Sequence, residues 1–173
     1  AKTKEQIRNL YDKAAAEVGE AGASVFEVHQ MMLEDDGYLK AISDMICKEK
    51  VSAEFAAAVT RDNYVEMFAD MDDEYMKARA ADVKDISNRL IRNLTGQEEI
   101  DFSSMEPSVL IMDSLTPSEM MRMDRDKILA VVTVHGSGNS HAAILAAMLN
   151  IPAVICPAAD LGGIHNGMKA VVD

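Results

Sequence analysis

Apolar positions recur every three or four residues through the first 96 residues, and in short unbroken runs after that, so the chain predicts two structural regimes. In the first, Ile7, Leu10, Tyr11, Ala14, Ala15 and Val18 mark one helical stripe that Gly19 and Gly22 punctuate. A second helix is expected from Ser24, as its N-cap, to about Leu33. Asp35, Asp36 and Gly37 interrupt it, and Leu39, Ile42, Met45 and Ile46 carry a short amphipathic segment on to Lys50. Ser52 caps the next predicted helix, which bears Phe55, Val59, Met67 and Phe68 and breaks at Asp72 and Asp73. A last helix over 74–94 shows Val83, Ile86, Leu90 and Ile91, with Gly96 as its C-terminal cap. The short connections imply antiparallel neighbours, hence a helical bundle over 1–96.

In the second regime, residues 97–107 are polar and read as a linker. Residues 109–112 and 128–134 read as buried strands, and 153–156 and 170–172 as further strands. Thr116, Pro117, Ser118 and Glu119 spell a helix start: Thr caps, Pro favours the first position, and Glu completes a capping box. Residues 142–149 form an apolar helix stopped by Asn150, Ile151 and Pro152, and residues 162–167 a glycine-rich turn. Strands alternating with short helices make 108–173 an α/β unit, so the whole is an antiparallel helical bundle joined to an α/β domain.

The 173 residues are 49% apolar, enough for a true core, and the net charge is −12. That charge argues against nucleic acid and against an anionic membrane surface, and favours a basic protein partner. Methionine is abundant, with 13 copies, and suits adaptable surfaces or irregular cores. Cys47 and Cys156 lie far apart and are expected to be buried thiols in a reducing, cytoplasmic compartment. No apolar run is long enough for a membrane span. Ala1 begins within a helical pattern, so the chain reads as an internal piece of a longer protein.

The candidate chemistry lies in Gly136, Ser137, Gly138, Asn139, Ser140 and His141, between a β-branched run and an apolar helix. A helix N-terminus offers unpaired N–H groups and a positive dipole end, and glycine lets the backbone approach a ligand. Both suit a phosphate, and the nearest nucleophile is an imidazole, which points to a histidine that carries a phosphoryl group. An ordinary helix-start histidine fits the same pattern. His135 reads as a strand-end residue, His165 as a turn residue, and His29 as core, surface or interface. No two histidines have the spacing of a zinc helix motif and neither cysteine completes a ligand set, so no metal site is expected.

The loop continues through Ala142, Ala143, Ile144, Leu145, Ala146 and Ala147 and resembles the G-G-x-T-S-H-x-x-I-x-A-R stretch of Enzyme I of the bacterial phosphoenolpyruvate:sugar phosphotransferase system. Pyruvate phosphate dikinase and phosphoenolpyruvate synthase share that loop, and their histidine domain is an alternative. The helical half separates them. Phe26, Glu27, His29, Met31, Leu33, Glu34 and Asp35 resemble the Enzyme I pattern F-E-x-H-x-M-L-L-E-D, and Asp73, Tyr75, Arg79, Ala80, Asp82, Asp85 and Ile86 resemble its D-x-Y-x-x-x-R-A-x-D-[VI]-x-D-I.

The resemblance implies an HPr-binding helical domain over 1–96, a linker over 97–107, and a swivelling phosphohistidine domain over 108–173 whose N-terminal strand falls outside the sequence. It implies that His141 accepts phosphate from phosphoenolpyruvate and passes it to the carrier HPr for sugar uptake. Gly136, Gly138, Asn139 and Ser140 would support the phosphate, and Met31, Met32, Asp35, Asp36, Tyr38 and Arg79 would dock HPr. On the residues alone, those two methionines read as bundle core. The barrel that binds phosphoenolpyruvate and Mg²⁺, and through which the parent enzyme dimerises, also falls outside the sequence, so the piece is expected to be a monomer with no cofactor of its own. Ser137, Asn139, Ala147 and Met120 depart from the family pattern around the histidine, which leaves a non-catalytic or degenerate HPr-binding module as an alternative.

Overall fold

The computed structural model describes residues 1–157 and 163–172. The chain divides into two compact units, Ala1–Ile100 and Asp101–Asp173.

The first unit is helical: α1 (Lys2–Leu33), α2 (Asp36–Asp44) continued by a π turn (Met45–Glu49), α3 (Ala53–Ala69) and α4 (Glu74–Thr95). Side-chain oxygens start three of these helices. Asp35 accepts from Tyr38 N at 2.7 Å, Ser52 from Phe55 N at 3.4 Å and Asp73 from Met76 N at 3.0 Å. Gly96, at φ 70°, closes α4 in the left-handed conformation that glycine adopts without strain.

The break expected near Gly19 is a kink, with Gly19 at φ 81° and ψ 172°, and the helix resumes at once. Ser24 is therefore not an N-cap: it lies inside the helix and its hydroxyl donates to the Ala21 carbonyl. Gly22, the second expected breaker, is buried in helical conformation. The core gathers Ile7, Leu10, Ala14, Val25 and Phe26 of α1, Ala56 and Ala57 of α3, and Val83 and Ile86 of α4, with α3 packed along α4. The apolar residues Phe55 and Met67 of α3 stay outside it, at 53% and 47% exposure.

The second unit is a three-stranded parallel sheet, β1 (Ser108–Met112), β2 (Ile128–Thr133) and β3 (Ala153–Ile155), in sequential order. Helix α5 (Pro117–Arg122) connects β1 to β2, and α6 (His141–Met148) connects β2 to β3. In register, Leu110 faces Val131 and Val131 faces Ala153. The capping box at α5 forms in full, with Thr116 accepting from Glu119 N and Glu119 accepting from Thr116 N. Met120, Met121, Ile128, Val131, Leu145 and Ala146 are buried and make the core.

Two expectations fail here. Residues 170–172 join no strand among the described residues and Val171 is 95% exposed: no described strand lies beside them to receive their backbone groups. Phe102, inside the stretch read as a polar linker, is buried on a short 3₁₀ turn (Phe102–Ser104) beneath the Arg122 guanidinium, 5.8 Å from the ring centre. Gly162, expected to open a turn, lies outside the described residues.

Candidate functional site

Ligands of parallel sheets gather where strands end and helices begin. Here the three strands run in sequential order with no switch point, so the loop from β2 to α6 has to shape any site by itself. The chain leaves β2 through Val134 and His135 and turns at Gly136, whose φ of 146° favours glycine. Gly138 has ordinary backbone and open space where a Cβ would stand, so only the first glycine is required by conformation. Ser137 Oγ accepts from Asn139 N at 3.2 Å, and Ser140 N donates to the Ser137 carbonyl at 3.0 Å, which folds the loop back on itself.

Ser140 is the N-cap of α6, with extended backbone and Oγ accepting from Ala143 N at 3.2 Å. His141 is thereby the first residue of the helix and half-buried, while residues 136–139 are exposed. Ser140 takes up one of the amides that a helix N-terminus offers an anion, but its own O–H remains able to donate. The result is an accessible imidazole beside a positive helix end, a geometry suited to nucleophilic attack on phosphorus. Met120, one of the positions that depart from the family pattern, is fully buried.

The sheet also pairs two residues that the sequence did not connect. His135 Nδ1 lies 2.9 Å from Asp113 Oδ1, and His135 N donates to the Asp113 carbonyl at 2.8 Å, both at the exits of β1 and β2. Only the parallel register could have revealed this pair.

In the helical unit, five of the six residues assigned to docking come together. Met31, Met32, Asp35, Tyr38 and Arg79 line a groove of about 560 Å³, whereas Asp36 lies outside its lining. Met31 is 70% exposed, so it is not the core residue that the sequence alone favoured. Tyr38 forms the buried floor, its hydroxyl 2.8 Å from Ser87 Oγ and its ring edge-on to Tyr64 at 5.5 Å. Burial pushes the Tyr38 phenol above the ordinary tyrosine range, against the Ser87 hydrogen bond that lowers it. Burial and then the Asp35 charge raise Tyr64 likewise, so both phenols keep their protons. Asp35 is first a helix cap and only second a groove carboxylate.

Sequence reasoning missed the far wall, Tyr64, Met67 and Phe68 of α3 and Tyr75 of α4. The signal was present: Met67 and Phe68 follow Tyr64 at helical spacing, on a helix with few residues committed to the core. Arg79 is held by three contacts. Its Nη1 donates to Asp82 Oδ2 at 3.1 Å, its Nη2 donates to the Tyr75 hydroxyl, and its guanidinium lies 4.5 Å from the Tyr75 ring centre.

Among the described residues no three His, Cys, Asp or Glu side chains converge to hold a metal ion. Cys47 is exposed rather than buried, and Cys156 is half-buried; both are free thiols. Among the described residues no helix is long and apolar enough to cross a membrane.

Residues 1–79 match the family described as PEP-utilising enzyme, N-terminal, and residues 104–173 match PEP-utilising enzyme, mobile domain. A phosphoenolpyruvate-protein phosphotransferase of Haemophilus influenzae is 40% identical over 87% of this chain and 26% of its own length. One of Bacillus subtilis is 37% identical over the whole chain and 30% of its own length. The chain thus spans between a quarter and a third of these curated relatives. A solution structure of Enzyme I superposes with a TM-score of 0.69 at 36% identity, covering 88% of this chain and 62% of that one. A structure described as the N-terminal domain of Enzyme 1 - Nitrogen gives 0.61 at 26% identity, over 89% and 63%. The chain belongs to the PEP-utilising enzymes and corresponds to the N-terminal region of Enzyme I.

Proposed function

We propose that this chain is the phosphoryl-carrying part of a phosphoenolpyruvate-protein phosphotransferase, with His141 as the carrier and HPr as the recipient. The observation that carries the proposal is His141 at the first turn of α6, behind a Ser140 cap and an exposed loop that turns at Gly136. An unprotonated imidazole nitrogen attacks phosphorus; the P–N bond forms as the bond to the donor's leaving oxygen breaks. On transfer, a nitrogen of an HPr imidazole takes the phosphoryl group and His141 regains its lone pair. The reaction needs little beyond positioning and charge stabilisation, which the helix end and the Ser140 hydroxyl supply.

The groove of the helical unit docks HPr. Met31 and Met67 offer adaptable apolar contacts, Asp35 offers a negative charge, and Arg79 offers a planar cation for an anionic group. The net charge of −12 favours encounter with a basic surface. Domain limits of 1–96 and 108–173, the helical part as an antiparallel bundle and the α/β part swivelling between donor and recipient, belong to the same proposal. So do sugar uptake as the destination of the phosphate and the cytoplasm as its setting. Charging by phosphoenolpyruvate belongs to the whole enzyme.

Incubating the chain with phospho-HPr tests this. Acid-labile, base-stable phosphate is expected on His141 and is lost in His141→Ala. Equal label in both proteins overturns the carrier role. A non-catalytic docking module is the second possibility, favoured by the fully buried Met120, which can donate no hydrogen bond to the site. HPr binding without any transfer would establish that alternative.

A further inference from the structure

Beneath the groove, three side chains run from the interior to the rim. His29 of α1 is fully buried, with Phe26 meeting its ring edge-on at 5.6 Å. Its Nε2 lies 3.4 Å from Oδ1 of Asp82, which is itself 2% exposed. The other oxygen of Asp82 accepts from Arg79 at 3.1 Å, and Arg79 reaches the groove. Neither ring nitrogen of His29 has a hydrogen-bond partner among the described residues.

A buried imidazole short of partners is a poor choice for stability, because an apolar residue of similar volume escapes its desolvation penalty. What the imidazole supplies, and leucine cannot, is a polar contact to one oxygen of Asp82. A carboxylate turns easily about its terminal torsion. The 3.4 Å contact of Nε2 with Oδ1 is short of a hydrogen bond, but it biases the carboxylate toward the setting in which Oδ2 meets Arg79.

We propose that His29 is a positioning residue: through Asp82 it sets the angle at which Arg79 presents its guanidinium to an anionic group on the docked partner. The proposal rests on the docking role given above to the groove. Tyr75 fixes the outer side of the same guanidinium, by its hydroxyl and by its ring face. Arg79 is thus held between an inner anchor and an outer one, and His29 is the part of the inner anchor that touches no ligand.

The test compares His29→Leu with His29→Gln, whose amide nitrogen replaces Nε2. His29→Leu is expected to melt at or above the wild-type temperature. Its Arg79 Nε–H loses order in ¹⁵N relaxation, and the Kd for HPr rises about fivefold, the scale of one weak polar contact. His29→Gln is expected to stay within about twofold of wild type in Kd, since it keeps the donor. In an Asp82→Asn background, His29→Leu adds no further loss. Wild-type order at Arg79 in His29→Leu, or equal damage from Gln and Leu, overturns the proposal. Should either variant fail to fold, the ¹⁵N ring signals of wild-type His29 decide: an Nε2–H tautomer supports the positioning role and an Nδ1–H tautomer refutes it. If wild type does not bind HPr at all, the docking role falls, while the relaxation and tautomer measurements still judge the His29–Asp82–Arg79 geometry.

Discussion

Ser140 combines two duties that substitution can separate. As N-cap of α6 it satisfies Ala143 N, and as a hydroxyl beside His141 it can donate to a phosphoryl oxygen. Ser140→Ala removes both. The lost cap is expected to cost about 1 kcal/mol of stability. The effect is concentrated, because α6 has only eight residues and three of them, Ala142, Leu145 and Ala146, anchor it in the core. Ser140→Asp keeps an acceptor for Ala143 N and adds a negative charge at the positive helix end, worth roughly 0.3–1 kcal/mol of added stability. The same charge opposes a phosphoryl dianion on His141. At a separation of about 5 Å and the dielectric of water, the repulsion is about 1.7 kcal/mol, roughly fifteen-fold in the phosphorylation equilibrium. Thermal unfolding and equilibrium labelling from phospho-HPr measure the two quantities on the same samples. The expected order is Asp, then Ser, then Ala in stability, with Asp last in phosphohistidine. A Ser140→Asp protein labelled as fully as wild type would refute an electrostatic role for this helix end.

Gly136→Ala is expected to lose about 1 kcal/mol, because φ 146° suits only glycine, whereas Gly138→Ala is expected to be neutral or to gain a few tenths in urea unfolding. Met31→Lys, at a position 70% exposed, is expected to leave unfolding within about 0.5 kcal/mol of wild type while calorimetric titration with HPr weakens by about tenfold. The Tyr38 phenol has its folded pKa raised above the ordinary value of 10.0, chiefly by burial. The folded protein therefore holds this proton more tightly than the unfolded chain. The resulting stability is fully present below pH 10 and is lost as pH rises through the folded pKa. Unfolding midpoints followed from about pH 9 to 11 should fall less steeply in Tyr38→Phe than in wild type.

Local features were legible in the chain because their causes are local. The capping box at Thr116 and Glu119, the Ser52 cap and the Gly96 terminus each depend on residues three or four apart, and each forms as its sequence pattern predicts. Gly19 shows the limit of that logic. A single residue at φ 81° bends the helix without ending it, so the apolar pattern resumes and Ser24 loses the terminus that it would have capped. Pairings such as His29 with Asp82, or Asp113 with His135, arise only when separate elements pack, and no periodicity announces them. The apolar run at 170–172 failed for a related reason: strand propensity needs a neighbouring strand to receive it.

The groove is where hydrophobic periodicity misled most, and the error is informative. Met31, Phe55 and Met67 sit in helical apolar patterns that read as core, yet each of them, like Tyr75, is more than 45% exposed. Fully burying a side chain of methionine size contributes about 1.5–3 kcal/mol, so leaving several of them in water forgoes stability that the fold could have had. A sequence tends to break its own pattern where function requires it. The docking role proposed for the groove explains the exchange for three of them: a partner seated against Met31, Met67 and Tyr75 recovers the burial that folding left undone. Phe55 does not line the groove, and nothing in the structure explains its exposure. That asymmetry sharpens the assignment, since Met67→Ser should weaken HPr binding and Phe55→Ser should leave it unchanged, with neither substitution removing a buried contact from the helical core.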